Sequence, residues 1–225
     1  MLTKNKYMDE KRQQLGLTHQ KKDDSVFKFF KEATEDIASV FAMDLEHRNY
    51  TTERVQLICV FTLIDVIANY WYEYLRKNGT QQERFLAWVK KYCLTDSNPE
   101  YRGTDFAHLS AENLYAVRSS MVHFLGIAGL GDKYKLTFAT NRMSDEFIAK
   151  YQKRFQDYGH HVLVVKPKKL HNLILEGTVL MLMEWKKVID EAQTDEATKW
   201  QHIEGIDRIY QKIQLEGAVK VAIPE

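Results

Sequence analysis

Only three prolines and ten glycines interrupt this 225-residue chain. Proline removes a backbone donor and clashes with the preceding turn, and glycine weakens a helix entropically, so a chain this poor in both can form long uninterrupted helices. Its apolar residues fall where such helices need them. Val26, Phe30, Ala33, Ile37, Val40, Phe41 and Leu45 recur at steps of three and four, the spacing of one helical face, and predict a helix from Ser25 to about Leu45. Thr51 or Thr52 can cap a second, long and mostly buried helix, with Asn78-Gly79 as a left-handed stop. Thr80-Gln81-Gln82-Glu83 is a capping box opening a third helix through Phe85, Trp88, Val89 and Tyr92, which the segment TDSNPEYRGTD breaks.

Ser110 can cap a fourth helix running through Leu114, Val117 and Met121 to the glycines at 126, 129 and 131. Lys133 to Thr140 and His161 to Lys166 are short β-branched and aromatic runs that can pair as a two-stranded ribbon, with a helix from Ser144 to Phe155 between them. Pro167 suits a first helical turn and opens an apolar helix to about Asp190, and a last helix follows from Thr194. The tail GAVKVAIPE has no clear pattern. The expected fold class is mainly α: a bundle of about six to seven helices with a small two-stranded β insert within about 133–166. Residues 1–24, rich in lysine and poor in apolar side chains, read as a mobile basic arm, and 25–225 as a single helical domain, since no repeat or linker divides them.

Composition narrows the function classes. With 44% hydrophobic and 28% charged residues the chain is neither disordered nor a disulfide scaffold. Thirty-two basic against 31 acidic side chains leave a net charge of +1, which argues against coating nucleic acid by charge alone, although a local basic patch stays open. Cys59 and Cys93 are too few for a disulfide framework or a cysteine zinc site, and the N-terminal MLTKNKYMDEKRQQ has no apolar stretch of a signal peptide; both point to the cytoplasm. The run Val55 to Leu75 is the most membrane-like, yet it carries Gln56, Asp65, Asn69 and Glu73 and reads as a buried soluble helix, so no membrane partner is expected.

Phosphate-loop, dinucleotide, zinc-protease, nucleophile-elbow and CxxC motifs are all missing. His160 and His161 are adjacent, and strand neighbours point to opposite faces, so a shared metal is not expected there; neither metal nor cofactor is called for elsewhere. Lys166, Lys168 and Lys169 form a compact cationic patch that can meet phosphates, with a solvated helix start as the plainer account.

What remains is Arg118-Ser119-Ser120-Met121-Val122-His123. As a bare Arg-to-His spacing it has rivals in Arg12/His19, Arg102/His108 and Arg154 with His160 or His161, but only Arg118 and His123 sit within one continuous predicted helix. On a wheel, Leu114, Val117, Met121, Phe124 and Leu125 make the core stripe, and His123 falls opposite it beside Glu112, Ala116, Ser119 and Gly126. Arg118 lies at the edge of the core stripe, about 140° around the axis from His123, with a side chain long enough to reach across. Short side chains around a histidine let another backbone approach, and the same helix of a second copy is one candidate. An ordinary surface histidine is the other account.

Here the sequence resembles the HEPN superfamily, small helical domains marked by R-x(4–6)-H on a late helix; the stretch is Leu114-Tyr115-Ala116-Val117-Arg118-Ser119-Ser120-Met121-Val122-His123-Phe124-Leu125. The preceding apolar helix with Asp65, Ala68, Asn69 and Tyr70, followed by Glu83-Arg84-Phe85, is also similar, and the resemblance covers roughly residues 51–190. It implies a homodimer that pairs two motifs, RNA as substrate, and a toxin or phage-defence-like setting with an antitoxin or other partner protein. It also implies metal-independent endoribonuclease activity with Arg118 and His123 catalytic and Ser119 in the polar place after the arginine. Two residues depart from the pattern: Ser119 stands where Asn, Asp or His is commoner, and Leu125 stands where one toxin branch has Tyr.

The residue types suit the chemistry. Imidazole, with an ordinary pKa of about 6.5, can take the 2′-hydroxyl proton at neutral pH, and a guanidinium can hold the phosphate through in-line attack, leaving a 2′,3′-cyclic phosphate and a 5′-hydroxyl. Ser119, one turn before His123, could hydrogen-bond the imidazole or a phosphate oxygen. The rival reading is a non-catalytic module for helical dimerisation or for binding a nucleotide or protein. A third, a small-molecule enzyme using Asp105, His108 or Glu112, rests on scattered polar residues.

Overall fold

The computed structural model describes residues 22–40, 51–102, 106, 109–124, 134–139, 143–159, 161–190 and 194–221. The basic arm up to residue 21, the glycines at 126, 129 and 131, Asp105, His108 and His160 lie outside them. Among the described residues there are seven α-helices and two strands, a mainly α bundle as the sequence predicts: α1 (22–40), α2 (Thr51–Tyr74), α3 (Gln81–Trp88), α4 (Ala111–Phe124), β1 (Tyr134–Phe138), α5 (Asp145–Asp157), β2 (His161–Val165), α6 (Pro167–Asp190) and α7 (Glu196–Val221).

Local chemistry sets most of the helix starts. Thr80 caps α3 through its hydroxyl, which accepts from the Glu83 amide at 3.2 Å, while the Thr80 amide donates to the Glu83 carboxylate at 2.7 Å. Ser110 accepts from the Asn113 amide at 3.0 Å, Ser144 from Phe147 at 3.2 Å, and Asp195 from Thr198 at 2.9 Å. The end of α2 differs from the sequence expectation. The left-handed residue is Arg76, at φ 51°, and not Gly79. Its amide donates to the Glu73 carbonyl and that of Lys77 to Tyr72, both at 3.0 Å, a Schellman turn without glycine that satisfies two of the last carbonyls of α2; the Glu73 carbonyl also accepts from Arg208 Nε at 3.0 Å. Beyond α3 the chain widens into one π-helical turn, Val89–Cys93, closed by the Leu94 amide on the Val89 carbonyl.

The described residues divide into two compact units: those within Met1–Glu32, Tyr70–Asn78 and Leu182–Glu225 form one; those within Ala33–Asn69 and Gly79–Met181 form the other. In the first, Tyr74 stacks on Trp185 with ring centres 4.3 Å apart, and Phe30 meets Trp185 and Tyr70 edge-on. The Tyr74 hydroxyl lies 2.9 Å from His202 Nδ1, and His202 Nε2 lies 3.4 Å from Asp23, so a buried polar chain runs through an aromatic core. In the second unit, the α2 residues Val60, Phe61, Ile64 and Ile67 pack in the core with Phe85, Trp88, Leu114, Val117, Leu170 and Ile174. Val55–Tyr74 is long and apolar enough to cross a membrane, yet its polar residues are built into the protein: Asp65 and Asn69 bond Arg118 and Arg84. Gly177 of α6 sits against the π-helical turn, where an added Cβ would come within 2.8 Å of Cys93 Sγ and 3.2 Å of the Tyr92 carbonyl oxygen. Asn98 is fully buried and donates to the carbonyls of Tyr92 and Leu173, both at 3.0 Å, which pins the segment after the turn.

The two strands pair in parallel, Tyr134 opposite His161 and Phe138 opposite Val165. A parallel pair needs a crossover, and α5 supplies it. Ile148 of α5 packs on Ala139 and Val164, so β1–α5–β2 is a small βαβ unit that runs directly into α6.

Candidate functional site

Helix α4 carries the Arg–His motif, and its inward side is settled by Ala111, Leu114 and Val117, all buried. Arg118 lies with them. Its side chain is 8% exposed, and both Nε and Nη2 donate to one oxygen of Asp65 on α2, at 2.9 and 2.7 Å. The guanidinium also lies 5.8 Å from the Tyr115 ring centre. Burial pushes the Asp65 carboxyl above the ordinary carboxylate range, against the opposing pull of the Arg118 hydrogen bond and charge and of a hydrogen bond from Gln81. The pair is a charge-assisted contact held in a largely dry environment.

The outer stripe of α4 is different. Glu112 is exposed and paired with Lys90, and Ala116 and Ser119 are half-buried. His123 continues that line seven residues beyond Ala116, and its side chain lies outside the described residues. By helical geometry its position is about 140° from Arg118. Arg118 is thus on the core side of the helix, and Ser119 on the side that leads toward His123.

The lysine patch divides in the same way. Lys166 and Lys169, three residues apart, both reach Asp145, the first residue of α5, at 2.8 and 3.7 Å. Lys168 is exposed on another face. The two cations hold the Asp145 carboxyl below its usual range, the hydrogen bond from Lys166 contributing most. They border a cavity of about 340 Å³ whose lining also includes Glu100, Phe106, Ile148, Gln152 and Val164. Among the described residues no three His, Cys, Asp or Glu side chains gather to hold a metal ion.

Two features lay beyond the sequence reading. In the sequence Asp65 is a polar interruption of an apolar helix and part of the resembling stretch, but nothing there joins it to Arg118, 53 residues away. The cavity draws Glu100, Phe106 and Gln152 from separate segments, with no spacing signal to join them. One further surface is conspicuous on α5. Phe147 and Tyr151, with Tyr158 just past the end of the helix, are 54%, 39% and 72% exposed, and by helical register Lys150 and Arg154 flank them.

The fold and sites define a mainly α protein carrying a small parallel βαβ element and two separate cationic centres. Compared with known families, with curated proteins and with solved structures, the chain matches none.

Proposed function

We propose that the chain acts as a non-catalytic helical interaction module, with Arg118 as a structural residue and the outer stripe of α4 meeting a second copy of the chain. The observation that carries this reading is the engagement of Arg118 with Asp65. A guanidinium that is 8% exposed and donates twice to a half-buried carboxylate would have to leave that partner to grip a scissile phosphate, stranding Asp65 in a site that already disfavours its charge. Glu112, Ala116 and Ser119 offer a stripe of mostly short side chains suited to close helix approach. Free Cys59 and buried Cys93 fit a cytoplasmic setting.

A specific observation favours the second reading, a HEPN-like metal-independent endoribonuclease that works through His123 and acts in a toxin or phage-defence role. The exposed aromatics of α5 are flanked by Lys150 and Arg154, and single-stranded RNA is held by base stacking beside cations. The two readings part in one assay. Purified protein is incubated with labelled RNA in EDTA, alongside His123→Ala and Arg118→Met. The interaction reading expects no cleavage above the buffer control, together with a dimer by light scattering that Ala116→Arg disrupts. Cleavage in EDTA that His123→Ala abolishes overturns it in favour of the ribonuclease.

A further inference from the structure

We propose that the cavity beside Lys166 and Lys169 binds a small organic phosphate of about mononucleotide size, its phosphate on the two lysines and its flat apolar body against Phe106 and Ile148. This goes beyond the reading of α4 and does not depend on it, because no α4 residue lines the cavity.

The chain route brings these groups together. The strands are parallel, so β1 and β2 end at the same edge, and the helices that follow begin there: α5 at Asp145 and α6 at Pro167. The 2.8 Å contact between Lys166 and Asp145 shows the two helix starts side by side. In open parallel α/β units ligands sit beyond the carboxyl ends of the strands, and this cavity reaches that edge at Val165, Lys166 and Asp145, continuing along α5 beside β2. Its volume of about 340 Å³ is within the range of small-molecule sites. The floor is apolar, with Phe106, Ile148, Val164 and Val165 all buried, while the polar groups stand at the border. That division suits an amphipathic ligand with one charged end.

The charge arrangement selects the charged end. Lys166, whose side chain is 16% exposed, and Lys169 converge on one carboxylate, Asp145, whose own side chain is 70% exposed. Asp145 is not the α5 cap, since Ser144 performs that role, so it can swing outward without unravelling the helix. It therefore occupies the position an incoming anion would take. A phosphate dianion replaces one negative charge with two at the same pair of cations and offers more acceptor oxygens. Glu100, also on the lining, adds repulsion that opposes a more heavily charged polyphosphate.

The test is titration of the full chain with AMP, adenosine and inorganic phosphate, followed by calorimetry and by protein NMR shifts. Saturable AMP binding is expected, with inorganic phosphate weaker and adenosine, which lacks the anion, weaker still. Lys169→Met should weaken AMP at least tenfold, and Asp145→Asn should tighten it severalfold by removing the competing carboxylate. The Lys169 side chain is 46% exposed, so its variant should fold, and circular dichroism of that variant is the check. His123→Ala should leave AMP affinity unchanged, which separates this proposal from either reading of α4. Absence of saturable binding to both wild type and Asp145→Asn overturns it, as does AMP affinity indifferent to Lys169→Met.

Discussion

At the scale of single residues, burial decides what ionisable groups can do, and Arg118 is the clearest case. Removing its charge leaves Asp65 without its cation. Fully buried pairs lose about 3–5 kcal/mol when broken in this way; Asp65 keeps some solvent contact, its side chain being 16% exposed, so Arg118→Met is expected to cost about 2–3 kcal/mol at pH 7. The loss carries a pH signature. The folded-state pKa of Asp65 is raised, so the carboxyl subtracts stability as pH climbs from the unfolded value through the folded one. Deleting Arg118 removes an influence that lowers that pKa and deepens the penalty. The deficit of Arg118→Met should be largest near neutrality and shrink toward pH 4, as read by urea unfolding at both values. A deficit that stays constant with pH would show that packing, and not the ion pair, is what was lost. His171 gives the opposite sign. It is 4% exposed, and burial depresses its pKa below 6.5, opposed by a hydrogen bond to the Thr34 backbone. A base with a depressed pKa contributes stability above its unfolded pKa that is lost as pH falls. Between pH 7 and 5 the wild type should therefore lose stability more steeply than His171→Gln, and parallel curves for the two proteins would refute this.

At the scale of elements, the sequence is most legible where one residue satisfies a neighbouring backbone group. The Thr80–Glu83 box, the Ser110 cap and Pro167 at the head of α6 all rest on contacts within three or four residues and stand where the pattern predicts, and Ser144, the predicted start of a helix, proves to be its cap. Contacts that join distant segments leave no such trace. Neither the Arg118–Asp65 pair nor the packing of Gly177 on the π-helical turn has a local signature, and the lysine patch shows its cations without revealing that Asp145 answers them. The end of α2 is an intermediate case. Asn78-Gly79 has the right composition for a stop, but the apolar stripe finishes earlier, and the chain turns at Arg76. A residue with a Cβ in the left-handed region costs about 1–2 kcal/mol relative to the right-handed helix, a penalty glycine escapes at some entropic cost. Arg76 is exposed. Arg76→Gly should therefore raise stability by about 0.5–1 kcal/mol, whereas Arg76→Val should lower it; thermal melts of the two side by side check both directions.

At the scale of the whole molecule, the question is how the 32 basic side chains are used. Many are committed within the protein. Lys22 meets Asp207, Lys90 meets Glu112, Arg118 meets Asp65, Lys150 meets Glu146, Lys166 meets Asp145 and Lys212 meets Glu73. Among the described residues each of these six cations is answered by an acid, and with a net charge of +1 that weighs against the long stripe of uncompensated cations that a backbone-tracking nucleic-acid protein uses. Affinity for RNA driven by phosphate contacts falls with salt according to the number of phosphates neutralised, with a slope of roughly −0.7 per phosphate for single strands. Contacts confined to the Lys153–Arg154 part of α5 would neutralise about two phosphates and give a slope of roughly −1.4. Binding of a short single-stranded RNA, followed by fluorescence anisotropy between 50 and 300 mM salt, should show that shallow dependence. Tyr151→Ala should reduce affinity without changing the slope, because stacking releases no counterions. A slope steeper than about −4 would mean six or more phosphates are engaged, which would place a broad cationic surface where the ion pairs now stand and return RNA to the centre of the protein's function.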